Sequence, residues 1–225
     1  MSPAVAAKIA AEHAKGRRLY VATTNLDAGE AVIWNMGEIA TGGRTNSLQH
    51  FQKVLRASSA VPGFFPPVYI KPQRGVQLRQ AHVDGGVKEP ILFSEFMAKS
   101  PQKDKHLYMV VNGTTRRFNA SKPVKANVQD IARKTIAELL RELQHDTIFG
   151  HYVRSSNFDV KFHMTSIPDN IPIANDALDF DPVRMGKLYD AGFAIGKAGI
   201  TAWQSGPPNF TEEDRATMAA ALKKF

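Results

Sequence analysis

The sequence predicts an α/β protein, because segments with strand-like composition alternate along the chain with segments of helical periodicity. The clearest strand is 106–112 (HLYMVVN), a continuous apolar run closed by Gly113, which is typical of a strand covered on both faces. The clearest helix begins at Asn127, which can cap it. Its apolar stripe is predicted to pack in a core and comprises Val128, Ile131, Ala132, Thr135, Ile136, Leu139, Leu140 and Leu143.

The N-terminal third begins with an alanine-rich helix over 4–15, which ends before Gly16. Two β-rich segments follow, at 18–24 and 31–36. The residues between them, 25–30, are typical of a turn and span a hairpin-length gap, so the two segments are predicted to form a strand pair.

A second helix is predicted from about Ser47, with apolar residues at helical spacing, ending at the Val-Pro-Gly sequence of 61–63. The proline-rich segment 64–70 is predicted to be an extended, partly buried connector, because proline is excluded from central strands. Residues 73–80 are predicted to form a polar hairpin that leads into a strand over 81–84.

The C-terminal part continues the alternation of helices and strands. A short helix is predicted over 90–97, a strand over 158–165, and a helix over 181–203 that is capped by its first residue. A capping-box sequence at 211–214 predicts a last helix. No repeat or composition break divides the chain, so a single domain over 1–225 is expected.

The composition is that of an ordinary globular protein, with 43% hydrophobic and 22% charged residues among 225. No apolar run reaches the roughly 18 residues of a membrane-spanning helix, and the N-terminus lacks the apolar region of a secretory signal. A cytoplasmic location is therefore expected for the chain as written. The absence of cysteine excludes disulfides, thiolate nucleophiles and cysteine-ligated zinc.

The chain carries a formal net charge of +8, which favours contact with anionic surfaces such as nucleic acid or acidic phospholipid headgroups. The sign of the charge does not choose between these two partners. Its basic residues are dispersed and do not form a tract interleaved with aromatic residues, so no specific nucleic-acid interface is predicted.

Other candidate sites lack the spacing that their chemistry requires. The seven histidines include no H-x-x-x-H pair, so no metal site is predicted. Residues 192–198 imitate a phosphate-binding loop but have too few residues between the glycines, and a close-packed helix stripe is the preferred interpretation. The sequence contains no G-x-S-x-G, and Ser58 and Ser59 lack the glycine that precedes such a nucleophile.

The sequence HVDGGVKEPI at 82–91 places one carboxylate, that of Asp84, between an apolar approach and two glycines. Glycine lets the chain turn sharply there and lets a ligand approach the backbone. The pattern fits an acid set at the end of a strand, and it also fits an ordinary Asp-Gly turn. An apolar environment would raise the pKa of the carboxyl toward the value that a general base needs.

Three segments together resemble the downstream part of a patatin-like phospholipase domain of the bacterial branch: LYVATTNLDAGEAVIW (19–34), VLRASSAVPGFFPPV (54–68) and HVDGGVKEPI (82–91). The resemblance is strongest over 17–91, and 92–225 corresponds to the C-terminal part of the same domain. It implies a three-layer α/β/α patatin-like fold, incomplete at its N-terminal side. It also implies a Ser-Asp dyad that hydrolyses acyl esters of lipids without a metal or organic cofactor.

The resemblance carries residue roles as well. It makes Asp84, of the Asp-Gly-Gly motif, the acid of the dyad, with Gly85 and Gly86 supporting its position. It assigns weak substrate contact to the segment that follows the family's acyl-site sequence, namely Phe64, Phe65 and Pro66. The implied partners are a lipid or acyl-ester substrate and an anionic membrane surface.

Two departures from the family pattern shape the expected activity. The family's glycine-rich oxyanion segment and its G-x-S-x-G precede the strand that begins here at Arg18, and only a helix precedes that strand in this chain. The asparagine often found after the Asp-Gly-Gly motif is replaced within 88–90. The expectation is an acyl hydrolase part that is inactive as an isolated chain, or active with a separate chain carrying the serine. The alternative is a non-catalytic module that binds lipid or an anionic membrane surface.

Overall fold

The computed structural model describes residues 2–42, 46–71, 78–113, 115, 123–168, 170–171 and 180–208. The described residues combine helices and strands, which confirms the α/β class. The chain divides into two compact units: Met1–Leu92 with Pro123–Thr147, and Phe93–Lys122 with Ile148–Phe225. That they fold as the one domain expected from the sequence stays a prediction.

The helices of the described chain are α1 (Pro3–Ala14), α2 (Met36–Ala40), α3 (Ser47–Ser58), α4 (Glu95–Ala98), α5 (Val128–Asn157) and α6 (Pro182–Ala198). Short 3₁₀ helices cover Gly85–Val87 and Ile200–Ala202. The strands are β1 (Tyr20–Asn25), β2 (Glu30–Asn35), β3 (Val68–Ile70), β4 (Gln80–Asp84), β5 (Lys105–Val111) and β6 (Val160–Ser166).

The first unit contains a four-stranded antiparallel sheet in the order β2-β1-β4-β3. The predicted strand pair is confirmed as β1 and β2, whose register runs from Tyr20 opposite Asn35 to Asn25 opposite Glu30. The predicted connector 64–70 is wrong in its last three residues, which form the edge strand β3. Its prolines lie before the paired residues, where the missing N–H groups remove no ladder bond.

One face of this sheet packs against α3, because the strand residues on that face and the inner residues of the helix are apolar. Phe51, Val54 and Ala57 are the buried residues of α3. The core cluster that they form with the sheet and its connections also includes Trp34, Met36, Ala60, Val68 and Ile70. The helix predicted from Ser47 is confirmed, and its inward face anchors the strand that ends at Asp84.

A hydrogen-bonded chain of buried side chains links three strands on the same face. The indole N–H of Trp34 on β2 donates to the Thr23 hydroxyl on β1 at 2.8 Å, and this hydroxyl lies 2.9 Å from Nδ1 of His82 on β4. The Thr23 hydroxyl thus accepts from Trp34 and shares a second hydrogen bond with His82 Nδ1. Burial lowers the pKa of His82, although Asp27 opposes this effect.

The second unit contains β5 and β6 as a parallel pair in continuous register, Lys105 opposite Val160 through Val111 opposite Ser166. The inner face is buried, with Tyr152 of α5 in edge contact with Phe162 of β6 at a ring separation of 5.3 Å. Coverage of β5 on both faces was the wrong prediction, since Tyr108 and Val110 on its outer face are 52% and 70% exposed. The apolar run 106–112 alternates in burial like a one-sided strand.

The long helix exists as predicted, and Asn127 caps it by accepting a 2.9 Å hydrogen bond from the Asp130 N–H. The predicted core packing of its stripe is wrong for most positions, since Val128 is 83% exposed and Ile131 and Leu139 are also exposed. The residues of α5 that are buried lie in its last turns: Ile148, His151 and Ser155.

The remaining elements follow the predictions with shifted ends. The strand predicted over 158–165 is β6, and the short helix predicted over 90–97 is limited to α4. Helix α6 begins as predicted after Asp181, which accepts a 2.6 Å hydrogen bond from the Arg184 N–H, but it ends at Ala198 because Gly199 takes a positive φ of 73°. The hairpin predicted over 73–80 lies mostly, and the helix predicted from 211–214 entirely, outside the described residues. None of the described helices is long and apolar enough to cross a bilayer.

Substitution of Thr23 by valine is expected to lower the free energy of unfolding by about 1–3 kcal/mol, because it leaves buried groups of Trp34 and His82 without their shared partner. The matched control is Thr24→Val. Thr24 is equally buried on the opposite face, and its hydroxyl has no hydrogen-bond partner among the described residues. This control should leave stability unchanged or raise it. Urea unfolding followed by circular dichroism measures both, and equal losses would contradict the buried hydrogen-bonded chain.

Candidate functional site

Asp84 is the last residue of β4 and is held there by backbone pairing on both sides. It lies opposite Thr23 in the antiparallel register with β1. Its backbone N–H donates a 3.0 Å hydrogen bond to the carbonyl of Ala60, just after α3. The pairing with β1 and the hydrogen bond to the residue just after α3 therefore fix the backbone that carries this carboxyl group.

The chain turns directly after Asp84, as the two glycines predict. One carboxylate oxygen, Oδ1, accepts a 2.7 Å hydrogen bond from the Gly86 N–H, and the Gly85 carbonyl accepts a 2.8 Å bond from the N–H of Glu89. This is the local arrangement of an Asx turn followed by a turn of 3₁₀ helix. The Asp84 carboxylate thus stabilises the turn that follows it. The backbone of the motif is the Asp-Gly turn that the sequence indicates.

Gly85 is required by packing and not by its backbone angles. A Cβ atom at this position would lie 2.5 Å from the carbonyl oxygen of Ala22 and 2.9 Å from the Ala22 side chain. Real Cβ atoms do not approach a backbone oxygen so closely, so strand β1 and the turn can be neighbours only with glycine here. The close approach keeps Asp84 tight against the sheet.

The electrostatics of Asp84 are those of a partly buried acid. Burial raises the pKa of the Asp84 carboxyl, and the hydrogen bond from the Gly86 N–H only partly opposes this effect. Among the described residues no other group donates a hydrogen bond to the carboxylate. A carboxyl group with a raised pKa is suited to accept a proton from a substrate or a nucleophile.

His82, two residues before Asp84, is not its hydrogen-bond partner. Its Nδ1 faces the Thr23 hydroxyl, and its ring packs against Trp34 at a centroid separation of 5.6 Å. The lowered pKa of His82 keeps the ring neutral near pH 7. His82 therefore has a structural role in the sheet, and any proton transfer at Asp84 would proceed without an intervening histidine.

The predicted acyl-site segment follows closely on Asp84's backbone partner, Ala60. Phe64 and Phe65 both donate their N–H groups to the Val61 carbonyl, which makes a tight turn before β3. Phe65 and Pro66 are exposed, whereas Phe64 is half-buried under the guanidinium of Arg133, 5.8 Å from its ring centre. The described hydrogen bonds and ring contacts do not join this segment to the Asp84 side chain, so its substrate role stays a prediction.

The two serines near the end of α3 do not pair with Asp84 among the described hydrogen bonds. Ser59 donates its hydroxyl proton to the Leu55 carbonyl at 3.0 Å, as serines late in a helix commonly do. Ser58 is the half-buried last residue of the same helix. Neither has the geometry of a nucleophile held on a strand-to-helix turn.

The glycine segment 192–198 lies on α6, as predicted, but the predicted close packing is wrong. Gly192 and Gly196 are exposed, and a Cβ atom at either position would meet none of the described residues within 4 Å. In the part of the chain that the structure describes, no group of three or more His, Asp or Glu side chains could hold a metal ion.

The structure also assembles a cluster that the sequence analysis missed. His106 and Tyr108 of β5 and His163 of β6 lie together on the outer face of the parallel pair. The two histidines are 57 residues apart in the chain, so no local spacing indicates their contact. Alternation of apolar and polar residues in the segment of β6 indicates that His163 lies on its outer face, whereas the apolar run of β5 gives no such signal.

Comparisons of the chain with protein-family models, with curated proteins and with solved structures find no match. The case for a function therefore depends on the motif residues and on the geometry of Asp84.

Substitution of Asp84 by asparagine is expected to stabilise the protein at pH 7, because the amide still accepts the Gly86 hydrogen bond and carries no charge to desolvate. The pKa of Asp84 is raised in the folded state, so its penalty appears as pH rises above the unfolded value of about 4 and persists above the folded pKa. The advantage of Asp84→Asn should shrink as pH falls toward 3.5 in urea unfolding. The exposed Asp146→Asn is the control, and a pH-independent difference for Asp84→Asn would contradict the burial effect.

Proposed function

We propose that this chain is the acid-bearing part of a patatin-like lipid acyl hydrolase, with Asp84 as the acid of a Ser-Asp dyad. The observation that carries the proposal is the carboxyl group of Asp84, which is fixed at the end of β4, partly buried and raised in pKa. Among the described residues, only the Gly86 N–H donates a hydrogen bond to it. The motif order over 17–91 supports it, as does the mixed α/β architecture. The complete domain is proposed to have the three-layer α/β/α fold of that family.

In the proposed reaction Asp84 acts as the general base. Its free oxygen accepts the proton of a serine hydroxyl while the serine oxygen attacks the carbonyl carbon of a lipid ester, and the proton then passes to the leaving alcohol. In the second half of the reaction Asp84 takes a proton from the water that attacks the acyl-serine, and this proton returns to the serine oxygen as the fatty acid leaves. The raised pKa of the carboxyl makes it a stronger base than an exposed aspartate, and no histidine is needed between the two groups.

The serine of this dyad has to come from outside the 225 residues, because they contain no G-x-S-x-G. It can be supplied by a segment encoded next to this chain or by a separate chain. The isolated chain is therefore proposed to be inactive toward esters. Phe64, Phe65 and Pro66 are proposed to contact the acyl group when the site is complete.

The purified chain should show no hydrolysis of p-nitrophenyl esters and no labelling by a fluorophosphonate, because it lacks a serine nucleophile. Sequencing the DNA upstream of Met1 should show a G-x-S-x-G segment, in frame or frameshifted. Co-expression with that segment should restore ester hydrolysis. Asp84→Asn should then lower kcat by at least about 100-fold, since general base catalysis contributes roughly 10²–10⁴.

The matched control in this experiment is Asp146→Asn, which removes an exposed carboxylate from α5 and should leave kcat unchanged. Stoichiometric fluorophosphonate labelling of the isolated chain would contradict the proposed division of the dyad. Full activity of the restored enzyme with Asp84→Asn would contradict the role of Asp84 itself.

A second candidate function is binding to a lipid or anionic membrane surface without catalysis, and α6 favours it. Met185, Tyr189 and Phe193 recur every four residues on this helix, and the last two are 70% and 61% exposed. The helix carries three basic residues and one acidic residue. Exposed aromatic residues beside basic ones are typical of helices that lie in the headgroup region of a bilayer.

The double substitution Tyr189→Ser with Phe193→Ser is expected to weaken binding to phosphatidylserine vesicles by at least about tenfold, because burial of one such side chain contributes about 1.5–3 kcal/mol. Binding should also fall as salt rises, since screening weakens attraction to the headgroups. Vesicle sedimentation measures both effects. The control is Val128→Ser with Leu139→Ser, which removes exposed apolar groups from α5. Absent or salt-insensitive binding by the unsubstituted chain would exclude this function.

A further inference from the structure

The outer face of the β5–β6 pair brings two imidazole nitrogens into direct contact. Nδ1 of His106 lies 2.9 Å from Nε2 of His163, and the Tyr108 hydroxyl lies 3.4 Å from the same His106 nitrogen. The parallel register places Tyr108 opposite His163 and His106 opposite Lys161, so all these side chains project from one face. Two nitrogens and one oxygen therefore converge at a partly exposed point.

The ring orientations show how the two histidines are joined. Their planes differ by 10° and their centroids are 5.1 Å apart, which is the separation of two imidazoles that share a proton end to end. The two nitrogens thus face each other across one shared proton. A metal ion competes with a proton for the same lone pairs.

A carboxylate behind His106 fixes which nitrogen faces His163. Asp104 Oδ1 lies 3.1 Å from His106 Nε2 and also accepts a 2.9 Å bond from the Lys161 ammonium. The hydrogen bond from Lys161, with His106 adding to it, lowers the pKa of Asp104, so the carboxylate is charged and accepts the Nε2 proton. Such a carboxylate–histidine pair orients the second nitrogen as a metal ligand in known metal sites.

The state of the second histidine also suits a ligand. Burial lowers the pKa of His163, and the nearby His106 and Lys161 lower it further. Neutral imidazole is the form that binds metal. The ring of Tyr108 lies 4.9 Å from that of His163 and contacts Trp203 edge-on, which limits the positions that these rings can take.

We propose that His106 and His163 form a two-nitrogen binding site for a divalent transition-metal ion, with Cu²⁺ bound most tightly. The affinity order of divalent ions for nitrogen ligands favours Cu²⁺. Two nitrogens that bind one ion with bonds of about 2.0–2.1 Å lie about 2.9–3.3 Å apart, so the 2.9 Å between the hydrogen-bonded rings puts both nitrogens within reach of one ion.

Binding requires a proton transfer and a rotation of both rings. The shared proton moves to His163 Nδ1 or to solvent, and both rings turn about χ2, a broad torsion, until their lone pairs meet at the ion. The Tyr108 hydroxyl is placed to hydrogen-bond a water on the metal. Two protein ligands leave the other coordination positions to water, so the bound ion can exchange with ions in solution. The proposed metal site is independent of the function proposed for Asp84.

Electron paramagnetic resonance of the full chain with one equivalent of Cu²⁺ tests the proposal directly. The spectrum should show coupling to two imidazole nitrogens, reduced to one in His106→Phe and in His163→Phe, which keep a flat ring without the ligand. Competition titration should show 10–100-fold weaker binding for Asp104→Ala, the loss expected when an orienting carboxylate is removed.

The control is His145→Ala on α5, which should leave the spectrum and the affinity unchanged, and circular dichroism confirms that each variant is folded. Two-nitrogen coupling in the spectrum of the unsubstituted protein tests the site by itself, even if a substituted chain misfolds. If the spectrum with one equivalent of Cu²⁺ shows no coupling to two nitrogens, the proposed site is wrong. Equal losses of affinity in His145→Ala and His106→Phe would also contradict the site, because they would show dispersed histidines as the ligands.

Discussion

The position of Asp84 depends on the buried hydrogen bonds that join Trp34, Thr23 and His82 across three strands. These polar groups sit in an apolar core, where an unpaired donor or acceptor costs more than the bond itself contributes. A shift of one residue in either strand pair would turn Thr23 to the opposite face and leave both of its partners unpaired. These hydrogen bonds thus fix the register that places Asp84 opposite Thr23. The position of the candidate site therefore depends on the packing of the core.

Asp84 itself works against stability, because a partly buried carboxyl group bonded on one oxygen is held in an environment that disfavours its charge. The turn needs only the acceptor oxygen, which asparagine would supply equally well. A carboxyl group whose pKa is raised by burial is therefore a candidate functional residue.

The sequence predicted most elements of the described fold, and its errors have a common physical origin. Hairpin β1–β2, helix α3 and the strand ending at Asp84 are local patterns whose apolar faces find their partners nearby. Burial is not local, so the apolar residues of β5 and of the first turns of α5 were expected in a core and are exposed instead. The motif at Asp84 could be predicted with its glycines, because a sharp turn at a strand end depends on neighbouring residues. The His106–His163 contact could not be predicted, because it joins residues 57 apart in the chain that only the pairing of β5 with β6 brings together.

The exposed apolar residues of α5 and α6 bear on which proposed function is correct. Scattered exposed apolar side chains are normal, but Met185, Tyr189 and Phe193 align along one helix and have a periodicity that selection for solubility would not produce. In an incomplete hydrolase such a stripe would be covered by the missing part of the domain, whereas in a membrane-binding module it would contact lipid directly. The two proposed functions also differ in the role that they give to Asp84. The proposed hydrolase uses a desolvated carboxyl group at the end of β4 as its base, whereas the proposed membrane module gives that group no role.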